Sequence, residues 1–177
     1  MRRNDREITD LGEILRLMDR CDVVNLAFAD GGEPYVVPVN FGYVSDGETK
    51  VVLYFHGARE GRKVSLAEKT GRAAFSMYAS HRLELAGEGE PVCRSTMKYS
   101  SVCGVGNIEL VEDREEKRLG LNAIMGQYSE PDEQGFSFEE TSVDAVAVLR
   151  LTVEEIHGKS NRKQAQPSKG ADRNDEY

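Results

Sequence analysis

The sequence predicts a mainly β fold, an antiparallel barrel with helices at its ends. The apolar segments follow the order helix, three strands, short helix, strands, helix and strand, which fits such a barrel better than a βαβ sheet. Two turns that contain Asp-Gly separate apolar runs near the N-terminus, a pattern typical of β-hairpins. Gly104 and Gly106 interrupt a long apolar strand, as glycines do where strands bend around a barrel.

In the first half of the chain, Asp10 caps a helix and Glu13 closes a capping box. The apolar stripe of this helix is Leu11, Ile14, Leu15 and Met18. Strands are predicted over 22–29, 34–44 and 50–56, with turns over 30–33 and 45–48. We expect these strands to form an antiparallel meander, with Pro38 at a bulge or an edge because proline cannot donate to the ladder.

The second half continues with a short helix over 61–70, which Gly71 ends in a left-handed conformation. Asp113 caps a second helix whose stripe is Leu121, Ile124, Met125 and Tyr128. The remaining pattern predicts strands over 72–79, 82–86 and 100–111, an acidic loop over 129–141 and a terminal strand over 144–156.

Length and composition restrict the class of protein. The 177 residues suit one domain over 1–159, followed by a polar segment over 160–177 that we expect to be disordered. A net charge of −8 argues against general nucleic-acid binding. No apolar run suits a membrane span or a signal peptide, so the chain is expected in the cytoplasm, away from membranes. The three cysteines match no common zinc spacing, and no metal site is predicted.

The segment 53–63 carries the strongest chemical signal. An apolar strand ends at His56, and a helix then begins near Gly61-Arg62-Lys63. A helix N-terminus with two cations suits a phosphate, although a solvated basic turn has the same sequence. His56 could stack on a ring or transfer a proton, or simply lie at the rim of the barrel. His81 and His157 have no companions at ligand spacing, and both are predicted to be surface residues.

The order of these segments resembles the flavin-binding split-barrel family related to pyridoxamine 5′-phosphate oxidase. Within it, the sequence is most similar to the nitroimidazole-reductase-like (Nim-type) branch. The residues that carry the resemblance lie in segments 1–8, 34–43, 53–63, 96–106 and 156–159. One departure is Ser100, which stands where the branch often has arginine.

The resemblance implies a homodimer of antiparallel, six-stranded, Greek-key-like split barrels flanked by helices, with FMN at the subunit interface. It implies that Arg62 and Lys63 hold the FMN phosphate and that Ser101 makes a polar contact to the flavin. His56 matches the histidine that faces the substrate side of the flavin. The isoalloxazine would be lined by two short segments, Val37, Pro38, Val39 and Asn40 together with Phe55, His56, Gly57 and Ala58.

The predicted function is that of an FMN-dependent oxidoreductase, in which the flavin passes electrons to a small acceptor such as a nitroaromatic compound. His56 would donate a proton or orient the substrate. Two alternatives stay open at this point. The same pocket could store flavin in a non-catalytic carrier or sensor, or the barrel could bind haem through an axial histidine.

Overall fold

The computed structural model describes residues 4–129 and 136–161 and folds most of them into one antiparallel sheet. Four α-helices and two short 3₁₀ turns, Asn4–Arg6 and Val92–Arg94, accompany the strands. The helices are α1 Leu11–Met18, α2 Arg62–Thr70, α3 Arg114–Tyr128 and α4 Glu140–Ala145. The strands are β1 Glu7–Ile8, β2 Val24–Asp30, β3 Glu33–Val39, β4 Gly42–Ser45, β5 Val51–Gly57, β6 Arg72–Glu84, β7 Thr96–Leu110 and β8 Ala147–Ser160.

The strand order confirms the predicted fold class. The sheet runs β3-β2-β6-β7-β8-β5-β4, and the two-residue strand β1 pairs with β8. Every pairing is antiparallel, so the described chain forms a split-barrel sheet accompanied by helices. It contains eight strands where six were expected, because the count includes the short β1 and because β3 and β4 are separate strands.

The predicted turns and caps are present. Gly31 and Gly32 have φ values of 61° and 102° and form the two-residue turn between β2 and β3. Between β4 and β5, the Asp46 carboxylate accepts hydrogen bonds from the backbone N–H groups of residues 48, 49 and 50. These bonds stabilise the ionised carboxylate and lower the pKa of Asp46. Asp10 and Asp113 each accept a bond of 2.8 Å from the residue three positions ahead.

The meander predicted from residues 22–56 is wrong, because segment 34–44 forms two strands at opposite ends of the sheet. β3 pairs with β2, whereas β4 pairs with β5. The chain leaves the sheet at Phe41, whose N–H donates to the Tyr128 hydroxyl of α3 at 3.0 Å. Gly42 then lies directly against the α3 backbone. Pro38 lies on β3, at the end of the strand path, so its predicted place at an edge is confirmed.

Three further boundaries differ from the prediction. Segments 72–79 and 82–86 form the single strand β6, whose register shifts between Ala79 and Arg82. The predicted loop over 129–141 includes the start of α4, and its residues 130–135 lie outside the described residues. β8 continues to Ser160, and the Asn161 side chain accepts a hydrogen bond from the Tyr99 N–H. The rest of the predicted tail lies outside the described residues.

The core lies inside the barrel, with a smaller apolar cluster under α3. Inward residues of β2, β5, β6 and β8, among them Leu26, Phe55, Phe75 and Leu149, pack with the apolar side of α1. A Cβ on Gly106 would lie 2.1 Å from the Thr152 carbonyl oxygen, and the β7–β8 register shifts at this glycine. The glycine therefore allows the close approach of two bent strands. No helix among residues 4–129 and 136–161 is long and apolar enough to span a membrane.

Candidate functional site

The first turn of α2 connects the end of β5 with the β2–β3 hairpin. The Lys63 ammonium donates to the His56 carbonyl oxygen at 3.1 Å. A Cβ on Gly57 would lie 2.9 Å from that ammonium nitrogen, so glycine at this position leaves room for the lysine. The strand end and the helix start, which are adjacent in the sequence, therefore form one compact site.

Arg62 extends from the same turn toward the hairpin. Its guanidinium donates to the Asp30 carboxylate at 3.1 Å and lies over the Tyr35 ring, 4.6 Å from the ring centroid. Lys69 contacts the other oxygen of Asp30 at 3.2 Å. Hydrogen bonds from Lys69 and Arg62 lower the pKa of Asp30. Two cations therefore share one carboxylate, which leaves an excess of positive charge beside the helix start.

The N-terminus of α2 suits an anion. The residue that precedes the helix, Gly61, has a φ of 141° and provides no side-chain cap, and the first turn contains no acidic residue. Uncapped backbone N–H groups and the positive end of the helix dipole attract negative charge. Arg62 and Lys63 are also in this turn, so its backbone N–H groups and cationic side chains together suit a phosphate group. The alternative of a purely solvated basic turn does not describe Arg62 and Lys63, because both contact other parts of the protein.

His56 is an exposed side chain at the end of β5. Partial desolvation and, to a smaller extent, the charge of Lys63 lower the pKa of His56 below its ordinary value of 6.5. Burial also lowers the pKa of Lys63. At neutral pH the imidazole is therefore uncharged and has one donor and one acceptor nitrogen. Among its neighbours, Phe55 is fully buried in the core and Ala58 is exposed.

The predicted lining residues at the end of β3 alternate between the two faces of the strand. Val37 and Val39 pack against the core, whereas Pro38 and Asn40 are exposed. β3 and β5 do not pair with each other, because only β4, the second strand formed from segment 34–44, pairs with β5. The two regions are connected instead through α2, because Arg62 reaches Tyr35 while Lys63 reaches the backbone of His56.

Ser101 occupies a different part of the sheet. It pairs with Tyr78 on β6 and with Lys159 on β8, whereas His56 pairs with Val148 near the start of β8. The stretch of β8 between Val148 and Lys159 corresponds to roughly 35 Å of strand, at about 3.3 Å per residue. Ser101 therefore does not join the Arg62–Lys63 turn through the sheet of one chain. The Ser100 side chain points inward instead, and its hydroxyl forms a hydrogen bond of 3.0 Å with the Ser160 hydroxyl.

The middle of the outward side of β2, β6 and β7 forms a surface of uncharged, mostly small residues, which we name the outer face. Arg72 and Glu109, on the same side of β6 and β7, lie beyond its end. Alternate residues of these strands are buried in the core, so the intervening residues point outward. The outer face consists of Asn25, Ala27, Ala29, Ala74, Ser76, Tyr78, Ser101, Cys103 and Val105. In a chain with 31% charged residues, such a surface is characteristic of a protein contact.

A cleft of about 490 Å³ borders the outer face at the end of β3. Pro38 contributes to its lining, together with Arg20, Asn25, Tyr78 and His81. The sequence correctly predicts His81 at the surface but gives no indication of this cleft. The register shift between Ala79 and Arg82 brings His81 to the cleft, and no periodicity in the sequence indicates that shift.

Comparison with known proteins identifies relatives of the chain. The family model described as pyridoxamine 5′-phosphate oxidase matches residues 10–160. A candidate 5-nitroimidazole antibiotic resistance protein from Bacteroides thetaiotaomicron is 30% identical, with a TM-score of 0.73. That match covers 87% of this chain and 86% of the other.

Two more distant structures share the fold. The FAD and heme binding protein from Mycobacterium smegmatis has a TM-score of 0.75 at 20% identity, over 93% of this chain and 77% of that one. The flavocytochrome Anf3 from Azotobacter vinelandii has a TM-score of 0.72 at 19% identity, over 98% and 88% of the two chains. No curated protein sequence matches the chain.

Proposed function

Because the chain belongs to the pyridoxamine 5′-phosphate oxidase family, we propose that it is an FMN-dependent oxidoreductase that passes electrons to a small acceptor. The observation that carries this proposal is the first turn of α2. It combines an uncapped helix N-terminus with Arg62 and Lys63, shortly after β5, whose last two residues are His56 and Gly57. The candidate 5-nitroimidazole antibiotic resistance protein supports a nitroaromatic compound as the acceptor class.

We prefer FMN over other flavins because the groups that could bind a phosphate are few and lie close together. Arg62 and Lys63 belong to one helical turn, which suits a single terminal phosphate. The FAD and heme binding protein from Mycobacterium smegmatis supports a flavin in a barrel of this kind without distinguishing FMN from FAD. FMN is therefore the cofactor to test first.

We further propose that the site is completed by a second copy of the chain. Ser101 cannot join the α2 turn through the sheet of its own chain, yet it lies on the uncharged outer face together with Ala74 and Cys103. Packing two outer faces together around Ala74 and Cys103 would bury the centre of this surface, leave the cleft at its edge open, and bring Ser101 of one copy toward the flavin of the other. A homodimer with two FMN molecules at its interface accounts for both features.

The chain's own residues would bind and orient, while the flavin supplies the electron-transfer chemistry. Arg62 and Lys63 hold the phosphate, and the backbone of Val37–Asn40 lines the ring. His56 is uncharged at neutral pH, so it presents a hydrogen-bond donor to a substrate without a fixed charge. This arrangement orients an acceptor at neutral pH, and the protonated imidazole that forms at lower pH would give it a proton.

The test is the visible spectrum of the purified protein, combined with mass spectrometry of the released ligand. We expect a flavin spectrum and the mass of FMN. Anaerobic reduction followed by a panel of nitroaromatic acceptors then distinguishes an enzyme from a carrier, because an enzyme should pass electrons to the acceptor faster than free reduced FMN does. A sharp Soret band without flavin, or flavin-free protein that does not bind added FMN, would overturn the proposal.

A further inference from the structure

The strand β6 contains an irregularity beside the cleft at the end of β3. The register with β7 shifts between Ala79 and Arg82, and Ser80 has a φ of 58°. It is the only residue other than glycine with positive φ in the described ranges. Such a conformation is costly for an L-residue, and it recurs where a site needs a particular side-chain placement.

The result of this irregularity is a pair of exposed aromatic rings. Tyr78 and His81 lie edge to face, with 6.0 Å between their ring centroids. Tyr78 is 62% exposed in the single chain and stands at the end of the outer face that borders the cleft. Both rings line the 490 Å³ cleft, and Pro38 adds a third flat apolar surface to it.

The polar groups of the cleft limit the ligand that it can take. Arg20 and Asn25 supply donors, and Asp22 supplies a negative charge that balances Arg20. The Asp22 carbonyl oxygen accepts from the side-chain amide of Asn40, which connects the cleft to the proposed flavin-lining end of β3. A neutral or singly negative ligand is therefore favoured over one with several charges.

We infer that this cleft is the subsite that binds the acceptor, a planar aromatic ring with an oxygen-rich substituent such as a nitro group. The ring packs against Tyr78 and His81, and the oxygens accept from Arg20 and Asn25. This inference rests on the proposed function, since Pro38 would contact the flavin on one side and the cleft on the other. It assigns acceptor specificity to Tyr78 and His81, which lie outside the phosphate-binding turn.

The experiment measures binding and does not depend on turnover. Isothermal titration calorimetry follows 4-nitrobenzoate and nitrobenzene binding to the protein as purified, with its flavin content determined separately. The variants are Tyr78→Ala, Tyr78→Phe and His81→Ala. Leu85→Ala is the matched control, because Leu85 is 74% exposed and does not line the cleft. Thermal melts establish that each variant is folded.

Tyr78→Ala and His81→Ala are expected to raise the dissociation constant roughly two- to tenfold, the effect of one aromatic contact. Tyr78→Phe and Leu85→Ala should bind as the wild type does. Equal affinity in all variants, or no binding to the wild type, overturns the inference. If the protein contains no flavin but Tyr78→Ala still weakens the binding of the nitroaromatic probes, the cleft assignment stands while the proposed function fails.

Discussion

Arg62 and Lys63 already contact protein groups, so the proposed FMN phosphate would share them with those groups. Arg62 pairs with Asp30 through one nitrogen and packs on Tyr35, which fixes its direction and leaves other guanidinium N–H donors for a ligand. Lys63 bonds the His56 carbonyl oxygen with one of three ammonium protons. These contacts hold both residues in place, which would reduce the entropy lost when the proposed phosphate binds.

Replacing both Arg62 and Lys63 by alanine should weaken FMN binding at least about tenfold, because charged hydrogen bonds contribute about 1.5–3 kcal/mol each. Titration of flavin-free protein with FMN measures the effect. Riboflavin, which has no phosphate, should bind the variant and the wild type equally. Lys50→Ala, which removes a cation on the β4–β5 turn, is the control variant. An unchanged FMN affinity in the double variant would exclude this turn as the phosphate site.

His56 gives a second prediction at the residue scale. Its lowered pKa means that the protonated imidazole accumulates only as the pH falls below 6.5. If His56 donates a proton, re-oxidation of the reduced protein by an acceptor should accelerate as the pH falls through that lowered pKa. Stopped-flow measurements with the wild type and His56→Gln test this, and we expect the variant to be about 10²–10⁴-fold slower with flavin retained. Equal rates in both proteins would remove His56 from the chemistry.

At the scale of elements, α3 packs on the sheet through a glycine. A Cβ on Gly120 would lie 2.7 Å from the Tyr54 ring. Tyr54 is buried, and its hydroxyl donates to Glu116 at 3.1 Å, so the ring has little freedom to move. Gly126 stands in the same helix, and a Cβ added there would meet no described atom within 4 Å. Substitutions at the two glycines therefore separate the effect of close packing from that of helix propensity.

Gly120→Ala should lower the free energy of unfolding by about 1–2 kcal/mol, because overpacking outweighs the gain in helix propensity. Gly126→Ala should raise it by about 0.5–1 kcal/mol, since only the propensity changes. Urea denaturation of both variants provides the comparison. A stabilised Gly120→Ala protein would mean that α3 does not approach Tyr54 this closely.

The elements that the sequence predicts well are those whose signals are local. Asp10 and Asp113 cap helices, and the Gly31-Gly32 turn joins two strands, because neighbouring residues decide these features. The division of segment 34–44 depends instead on Tyr128, which is distant in the sequence and receives the Phe41 N–H. The candidate site shows the same limit. The turn at Arg62 is visible in the sequence, whereas its contact with Tyr35 requires the fold.

At the scale of the whole molecule, the distribution of charge distinguishes one side of the barrel. The chain has a net charge of −8, yet none of the nine residues that form the outer face is charged, and Arg72 and Glu109 lie beyond its end. Ala74 on β6 pairs with Ala27 on β2 and with Val105 on β7. The centre of the outer face is therefore flat and composed of small side chains. Two molecules that repel each other through their net charge can still associate through such a surface.

The proposed dimer predicts that association and flavin binding are coupled. Ala74→Glu places a carboxylate at the centre of the outer face, and in a dimer it would bring two buried charges together. We expect this variant to sediment as a monomer and to lose most of its flavin, because each site would lack the partner's contribution. Thr141→Glu, an exposed position on α4, should remain dimeric and retain flavin. Analytical ultracentrifugation with detection at the flavin absorption band measures both properties in one run. A monomeric Ala74→Glu protein with full flavin occupancy would place the whole cofactor site within one chain, and Ser101 would then have no part in it.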